Sequence, residues 1–331
     1  MRVLQGFIDV AGQASRYAKA LKMADCHAEA WLYERVLKDE AFDKVLDFSS
    51  RGILNGRLRK LGYLLEASWK FDIWHIHKGF SIYNKNRDIS FVKKFGRSIV
   101  IHYRGREIRP EMNMTTLPLP IIEKVKRESD LADLIFVKDG QLAELIKPYV
   151  NSVVVFPNIV DISDFMPPSD YPDDFYDMNR KLRVVHVASN PKYKGTAIIR
   201  EQIDRIKDRI HFAEFSNLSH ENLLEQYWKA DIIIDQLMTG TYGNASLEAM
   251  GLGRSVINYL NPVFTQYEPE LPPIIKTEKN ELADTIVFMD EHREVLFESA
   301  LQGKEFVRRH HTYSSVGTQL LNQYQKIRPK N

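Results

Sequence analysis

The stretch DIIIDQLMTGTYGNASLEAMGLGRSVI, residues 231–257, carries the plan of the molecule. Its opening, Ile232 to Ile234, reads as a buried strand, because parallel strands covered on both faces are continuous apolar runs rather than alternating ones. Gly240 and Gly243 punctuate a loop, the residues around Glu248 read as a short helix, and Gly251 and Gly253 lead into a second strand within SVINYL (255–260). Strand, glycine loop, helix and strand in that order make one crossover unit of an α/β protein. A glycine loop that opens a helix exposes several N–H donors, and the helix dipole favours an anion there. Glu248, one turn further in, is placed to accept hydrogen bonds from a diol such as a ribose.

The same grammar extends upstream. LRVVHVA (182–188) and IHFAEFS (210–216) read as strands. After the first of them, SNPKYKGT (189–196) sets Lys192 and Lys194 in a loop that leads through Gly195 and Thr196 into a helix. Ligands of open parallel sheets bind beyond the carboxyl ends of strands, so both loops are candidate sites. Lysines beside free helix-end N–H groups suit a phosphate, against the plainer reading of a solvated turn.

In the first half, RVLQGFI (2–8), FDIWHIH (71–77), SIVIHY (98–103), LIFV (134–137) and SVVVFP (152–157) repeat the pattern. The Pro- and Asp-rich passage PPSDYPDDFYDMNRK (167–181) has the composition of a linker. We expect an α/β protein of two Rossmann-like doubly wound domains facing a central cleft. Residues 1–168 would form an N-terminal domain, 169–181 the linker and 182–310 a C-terminal domain. Residues 311–331 would form a C-terminal helix packing back toward the first domain.

Composition agrees: 331 residues suffice for two domains, and 44% apolar with 27% charged residues is ordinary for a globular chain. The net charge of +2 divides into +7 over residues 1–160 and −5 over 161–331. That basic charge is diffuse and no nucleic-acid motif accompanies it, which disfavours nucleic acid as a partner. A single cysteine, Cys26, excludes an internal disulfide and a multi-thiolate zinc site. No apolar run approaches the roughly 18 to 20 residues of a spanning helix, and Asp9 and Gly12 interrupt the amino-terminal stretch where a secretion signal would be apolar. The expectation is a soluble cytoplasmic protein.

With these stretches in hand, the sequence resembles the family-4 glycosyltransferases of the GT-B fold, and more closely a bacterial subgroup that carries an HxxS…KGT loop and a DQL…G.YG…EAM.LG..VI loop. Here they read HVASNPKYKGT and DQLMTGTYGNASLEAMGLGRSVI. GFIDVAGQASRYAKAL (6–21), IHYRGREIR (101–109), ADLIFVKDGQL (132–142), FPNIVDISDF (156–165) and RRHHTYSSVGTQLLNQY (308–324) follow in the family's order. The resemblance implies retaining transfer of a sugar from a nucleotide diphosphate donor, held mainly by the second domain, to a glycan or lipid-linked acceptor held mainly by the first, in cell-surface polysaccharide synthesis.

It also implies roles. Lys194 corresponds to the basic residue on the donor diphosphate, and Glu248 to the second Glu of a Glu-x7-Glu motif, holding the ribose. Thr241, Tyr242, Gly243 and Asn244 would cover the phosphates and sugar. Gly12 sits at the glycine loop of the first domain, and His102 at the histidine near the reacting sugar; His102 and Glu248 are the catalytic candidates. One departure stands out: the first Glu of the motif falls at Gly240. The family's Arg falls near Ala188, where Lys192 would replace its charge.

A leaving diphosphate develops charge that lysines and helix-end amides can stabilise without a metal, and no Asp-x-Asp pair occurs. No cofactor or metal is expected, the nucleotide-sugar being a co-substrate. His75 and His77 alternate on one strand and share a face, but no third ligand stands at useful spacing. Arg104, Arg106 and Arg109 are expected either to add a basic rim for donor phosphate or an anionic acceptor, or to lie on a solvated loop. His310 and His311 read as structural.

Residues 51–70 place Leu54, Leu58, Leu61, Leu65 and Trp69 at helical spacing among Arg51, Arg57, Arg59, Lys60 and Lys70. Such a helix either lies on an anionic membrane surface, peripherally on its inner face, or packs its leucines on the sheet. Two other functions compete with transfer: a nucleotide-sugar epimerase of the same fold, and a non-catalytic nucleotide-sugar or glycan-binding protein. The base pocket is expected near EFSNLSHE (214–221).

Overall fold

A computed structural model describes the chain except residues 34–41, 48–52, 84–85, 112–113, 164, 168, 170–171, 173, 175–176, 178 and 328–331, and the side chains of 53–55. It packs as two units, residues 1–159 with 313–331, and residues 160–312.

Among the described residues, the first unit holds β1 (Arg2–Phe7), β2 (His27–Leu32), β3 (Lys44–Val45), β4 (Ile73–His77), β5 (Ser98–Tyr103), β6 (Leu134–Val137) and β7 (Val154–Val155). All pair in parallel in the order β3-β2-β1-β4-β5-β6-β7. The order reverses between β1 and β4, the switch point at which open sheets bind ligands. β4 and β5 are buried along their whole length, as expected for strands with helices on both faces. The helix Gln13–Met23 packs Tyr17, Ala18 and Leu21 against Val3, Val100 and Phe136. The helix Tyr313–Ile327 joins the same core through Val316, Leu320 and Tyr324. Gly317 makes this approach close, since a Cβ there would come within 2.6 Å of the Ala20 carbonyl oxygen.

The second unit holds β8 (Leu182–Val187), β9 (Ile210–Phe215), β10 (Ile232–Ile234), β11 (Ser255–Asn258) and β12 (Ile275–Lys276), parallel in the order β12-β11-β10-β8-β9. Its switch point falls between β8 and β10. Ile199, Ile203, Ile232, Ile257 and Leu296 fill one side of the sheet, and Leu224, Tyr227, Leu247, Met250 and Phe306 the other.

The unit border differs from the composition-based one. Residues 160–167 lie in the second unit because Val160, Ile162 and Phe165 pack on its core. Much of 169–181 lies outside the described residues; within it, the Arg293 guanidinium donates to the Asp177 carbonyl at 2.7 Å, and Arg180 pairs with Asp231 at 2.6 Å. The loop expected at 189–196 contains a turn of helix, Pro191–Lys194, started by Asn190, whose Oδ1 accepts from the Tyr193 N–H at 3.3 Å. His310 ends the helix Arg293–His310, and the chain then turns into Tyr313–Ile327.

The basic helix spans Ile53–Lys70. Leu64 and Ala67 face inward, whereas Leu58, Leu61, Leu65 and Trp69 are 58%, 43%, 49% and 82% exposed, so the stripe is not spent on the sheet. Arg51 and the Leu54 side chain lie outside the described residues. Among those described, no helix is long and apolar enough to cross a membrane.

Candidate functional site

In the second unit the expected residues gather at the switch point. β8 ends shortly before the turn that carries Lys194, and Asp235 directly follows β10. The Lys194 ammonium donates to Asp235 Oδ1, and the Ser246 hydroxyl donates to Asp235 Oδ2 at 2.5 Å. Burial pushes the Asp235 carboxyl up, but Lys194 and Ser246 outweigh it and hold it below the usual range, so it is an anion at neutral pH. His186, on β8, donates from Nδ1 to the Ile234 carbonyl at 2.8 Å and accepts the Thr196 hydroxyl at Nε2, 2.9 Å. That geometry pins the start of the helix Thr196–Asp204 to both central strands. Gly195 makes the turn at φ 77°, a left-handed conformation that also leaves no room for a side chain beside Met238. Lys192 is exposed.

The glycine loop is held by Gln236, which lies within the DQL stretch but was assigned no role from the sequence. The buried Gln236 side chain accepts the N–H groups of Met238 (2.7 Å) and Thr239 (2.6 Å) and donates to the carbonyls of Thr241 (2.5 Å) and Tyr259 (3.2 Å). Asn258 adds a donor to the Thr241 carbonyl at 3.3 Å, and the Tyr242 hydroxyl donates to Glu268 at 3.1 Å. Gly243 precedes the helix Asn244–Gly251, whose first-turn N–H groups lack intrahelical acceptors. On this helix Glu248 is 7% exposed, and its Oε1 lies 3.3 Å from His220 Nε2. His220 begins the helix His220–Lys229, inside the segment expected to hold the base.

In the first unit, the two alternating histidines acquire the third that sequence spacing did not show. His77 of β4 lies in register with His102 of β5, and one nitrogen from each of His75, His77 and His102 falls within 4.8 Å of the others. All three rings are buried, and burial, with the nearby Arg104 charge, holds them well below the ordinary histidine range, hence neutral. Their shape does not suit a metal ion. The rings of His75 and His77 stack at 4.5 Å and 9°, those of His75 and His102 at 5.3 Å and 15°. Stacked rings send their in-plane lone pairs along parallel planes rather than toward one point.

The arginines do not form a rim. Arg106 is exposed, while Arg104 and Arg109 are buried toward different partners, Arg109 lying 3.9 Å from Asp139. They leave one helical turn after β5, Ile108 and Arg109 both bonding back to the Gly105 carbonyl, which rotates successive side chains to different sides. Gly12, at φ 73°, starts the helix Gln13–Met23, while Asp9 takes the Ala14 N–H and the Ser15 hydroxyl, both at 2.9 Å.

The first unit also has a cavity of about 430 Å³ lined by Tyr33, Lys60, Phe80, Tyr83, Lys124 and Glu128 among others. Glu128 accepts from Tyr103 Oη at 2.5 Å and Asn86 Nδ2 at 2.6 Å. Burial pushes its carboxyl up to about 7, against the lowering pull of Lys124 and Tyr103.

No protein-family model and no curated protein matches the sequence. Solved structures do match, over nearly its full length. Anabaena HepE in complex with UDP-glucose aligns at a TM-score of 0.64 and 15% identity, covering 98% of this chain and all of that one. Sucrose-phosphate synthase from Thermosynechococcus elongatus aligns at 0.68 and 13%, covering 98% and 99%, and a glycosyltransferase from Rickettsia africae at 0.68 and 13%, covering 100% and 99%. The fold is GT-B. A Listeria monocytogenes structure described as a putative UDP-N-acetylglucosamine 2-epimerase shares it at a TM-score of 0.55 and 14% identity, covering 100% and 98%. Within this GT-B chain, the second-unit candidates Lys194, Gly240 to Asn244 and Glu248 belong to the loops around one switch point, whereas His102 lies wholly inside the first unit.

Proposed function

We propose that the chain is a nucleotide-sugar-dependent glycosyltransferase, similar to family 4, that transfers a sugar with retention to a glycan or lipid-linked acceptor in cell-surface polysaccharide synthesis. The observation that carries the reading is the convergence of Lys194, the Gln236-held glycine loop and Glu248 on the switch point of the second sheet. In this reading the Lys194 ammonium and the N–H groups opening the helix Asn244–Gly251 receive the diphosphate, where charge grows as the sugar–phosphate bond breaks. Asp235 keeps Lys194 in place before the ligand arrives. Glu248 and His220 receive ribose and base. In this reading the Lys194 ammonium and the amides, rather than a metal ion, take up the charge of the leaving group.

The acceptor is assigned to the first unit. The exposed stripe Leu58, Leu61, Leu65 and Trp69, flanked by Arg57, Arg59, Lys60 and Lys70, supports a peripheral seat on the inner, anionic face of a membrane, where lipid-linked acceptors are presented.

The test is a thermal-shift screen of UDP, GDP, ADP, CMP and common nucleotide sugars, with and without EDTA, on wild type, Glu248→Ala and Lys194→Ala. A nucleoside diphosphate should stabilise wild type regardless of EDTA, and both substitutions should remove the effect. No shift with any nucleotide would overturn the reading. Product analysis by NMR separates a retained glycoside from an epimerised nucleotide sugar.

A further inference from the structure

Arg104 is 5% exposed, and among the described residues none of its side-chain partners is an acid. Its Nε and one terminal nitrogen lie 3.3 Å and 3.1 Å from His77 Nδ1, the other donates to Asn158 Oδ1 at 2.8 Å, and the guanidinium carbon sits 5.0 Å over the Tyr17 ring. Glu107, the nearest acid in sequence, turns Oε1 to the backbone N–H groups of Arg104 and Gly105. A buried cation without a counter-charge is costly unless an anion completes it.

The histidines explain how the cation is kept. A guanidinium only donates, so His77 Nδ1 accepts and the proton of this ring sits on Nε2. That proton goes to Gln5 Oε1 at 2.9 Å, and the Gln5 amide donates to the Tyr324 oxygen at 2.9 Å. Burial raises the Tyr324 hydroxyl well above its ordinary range, so it keeps its hydrogen and gives it to His75 Nδ1 at 2.6 Å. His75 Nε2–H donates to His102 Nδ1 at 3.1 Å. The chain ends at His102 Nε2, buried without a partner. Every bond follows in one direction once Arg104 is the first donor, and no member can pick up the charge.

We infer that Arg104 is the centre of an oxyanion site in the first unit, taking a phosphate group, and that His77, Gln5 and Tyr324 are its positioning residues. The site goes beyond the proposed donor cluster, which it does not share. The phosphate can be carried by a nucleotide or by a prenyl phosphate acceptor.

Calorimetric titration of the full chain with UDP and, separately, with farnesyl phosphate, on wild type, Arg104→Gln, Arg104→Lys and Tyr324→Phe, tests it. Arg104→Gln should weaken one ligand at least tenfold and Arg104→Lys should restore most of the loss. A loss for UDP assigns the phosphate to a nucleotide, and a loss for farnesyl phosphate alone assigns it to an acceptor. Long-range 15N–1H spectra should show all three histidines as Nε2–H tautomers, with His75 changed in Tyr324→Phe. Equal binding of both ligands by wild type and Arg104→Gln, no binding of either by wild type, or an Nδ1–H tautomer at any of the three, overturns the inference. Failure of UDP, GDP, ADP and CMP alike to bind wild type, with farnesyl phosphate binding that depends on Arg104, would defeat the proposed donor site and leave this one standing.

Discussion

Gly240 lies against Asn261 so closely that a Cβ on it would come within 2.7 Å of the Asn261 Cβ and 3.3 Å of its backbone nitrogen. The two residues are also joined by a hydrogen bond from the Asn261 N–H to the Gly240 carbonyl at 2.9 Å. Gly240 stands where the Glu-x7-Glu motif of the family-4 glycosyltransferases that the sequence resembles would place a glutamate, and the backbone there, at φ 71°, is left-handed. The glycine is therefore required by the turn, and the missing carboxylate is a property of this loop's path.

Gly240→Ala should destabilise the protein by about 2 kcal/mol or more, from the strained φ together with the clash. Gly240→Glu should do at least as much and gain no activity. Urea midpoints and turnover of the two variants check this; a Gly240→Glu protein as stable as wild type would show that the loop is free to move.

Gln236 makes a second prediction. Gln236→Ala leaves two loop N–H groups and the Tyr259 carbonyl without their side-chain partner, and the Thr241 carbonyl with Asn258 alone, at a cost of about 2 to 3 kcal/mol. Gln236→Glu keeps both acceptor bonds and loses only the donated ones, so it should fall between the two in chemical denaturation. Nucleotide affinity should follow the same order.

Glu128 predicts a pH dependence. Its carboxyl is raised from 4.5 to about 7 in the folded protein, so folding favours the protonated form. The stability this contributes is complete below the unfolded value near 4.5 and is lost as pH rises through about 7. The span corresponds to about 3 kcal/mol. Glu128→Gln, which can still bond Tyr103 and Asn86, should flatten denaturation free energy between pH 5 and pH 8, roughly the window in which the acid ionises. An unchanged slope would place the titration elsewhere.

Leu61→Ser with Trp69→Ser should change stability by less than about 0.5 kcal/mol, because both side chains already meet solvent. The same pair should lose sedimentation with vesicles containing phosphatidylglycerol, while vesicles of phosphatidylcholine alone bind neither protein. Wild-type binding that survives the double substitution would remove the stripe from the membrane contact.

The central strands were legible because each is an unbroken apolar run: Val184, Val185, Ile232 to Ile234 and Ile99 to Ile101 all sit in interior positions of their sheets. β2 was not, since HAEAWL opens on an exposed histidine and carries Glu29, and β3 and β12 are two-residue edge strands that no periodicity can mark. The two candidate loops of the second unit were visible through their glycines and lysines. Their supports were not, because Gln236 works by side-chain geometry alone and His220 reaches Glu248 across 28 positions. The third histidine was hidden for a similar reason: His77 and His102 become neighbours only through strand register. The arginines misled because a list of like charges after a strand gives no hint that a tight turn separates their directions.

The helix Tyr313–Ile327 completes the first unit although 153 residues of the second are inserted before it. During synthesis the order of completion is therefore the reverse of the order of the units along the chain. The second unit can close its sheet as soon as its own residues emerge, while the earlier-made unit waits, its Tyr17 face uncovered and Gln5 and His75 without the Tyr324 hydroxyl, until the helix Tyr313–Ile327 has been made. A chain stopped short of Tyr313 would carry all of both sheets and still leave the first of them unfinished.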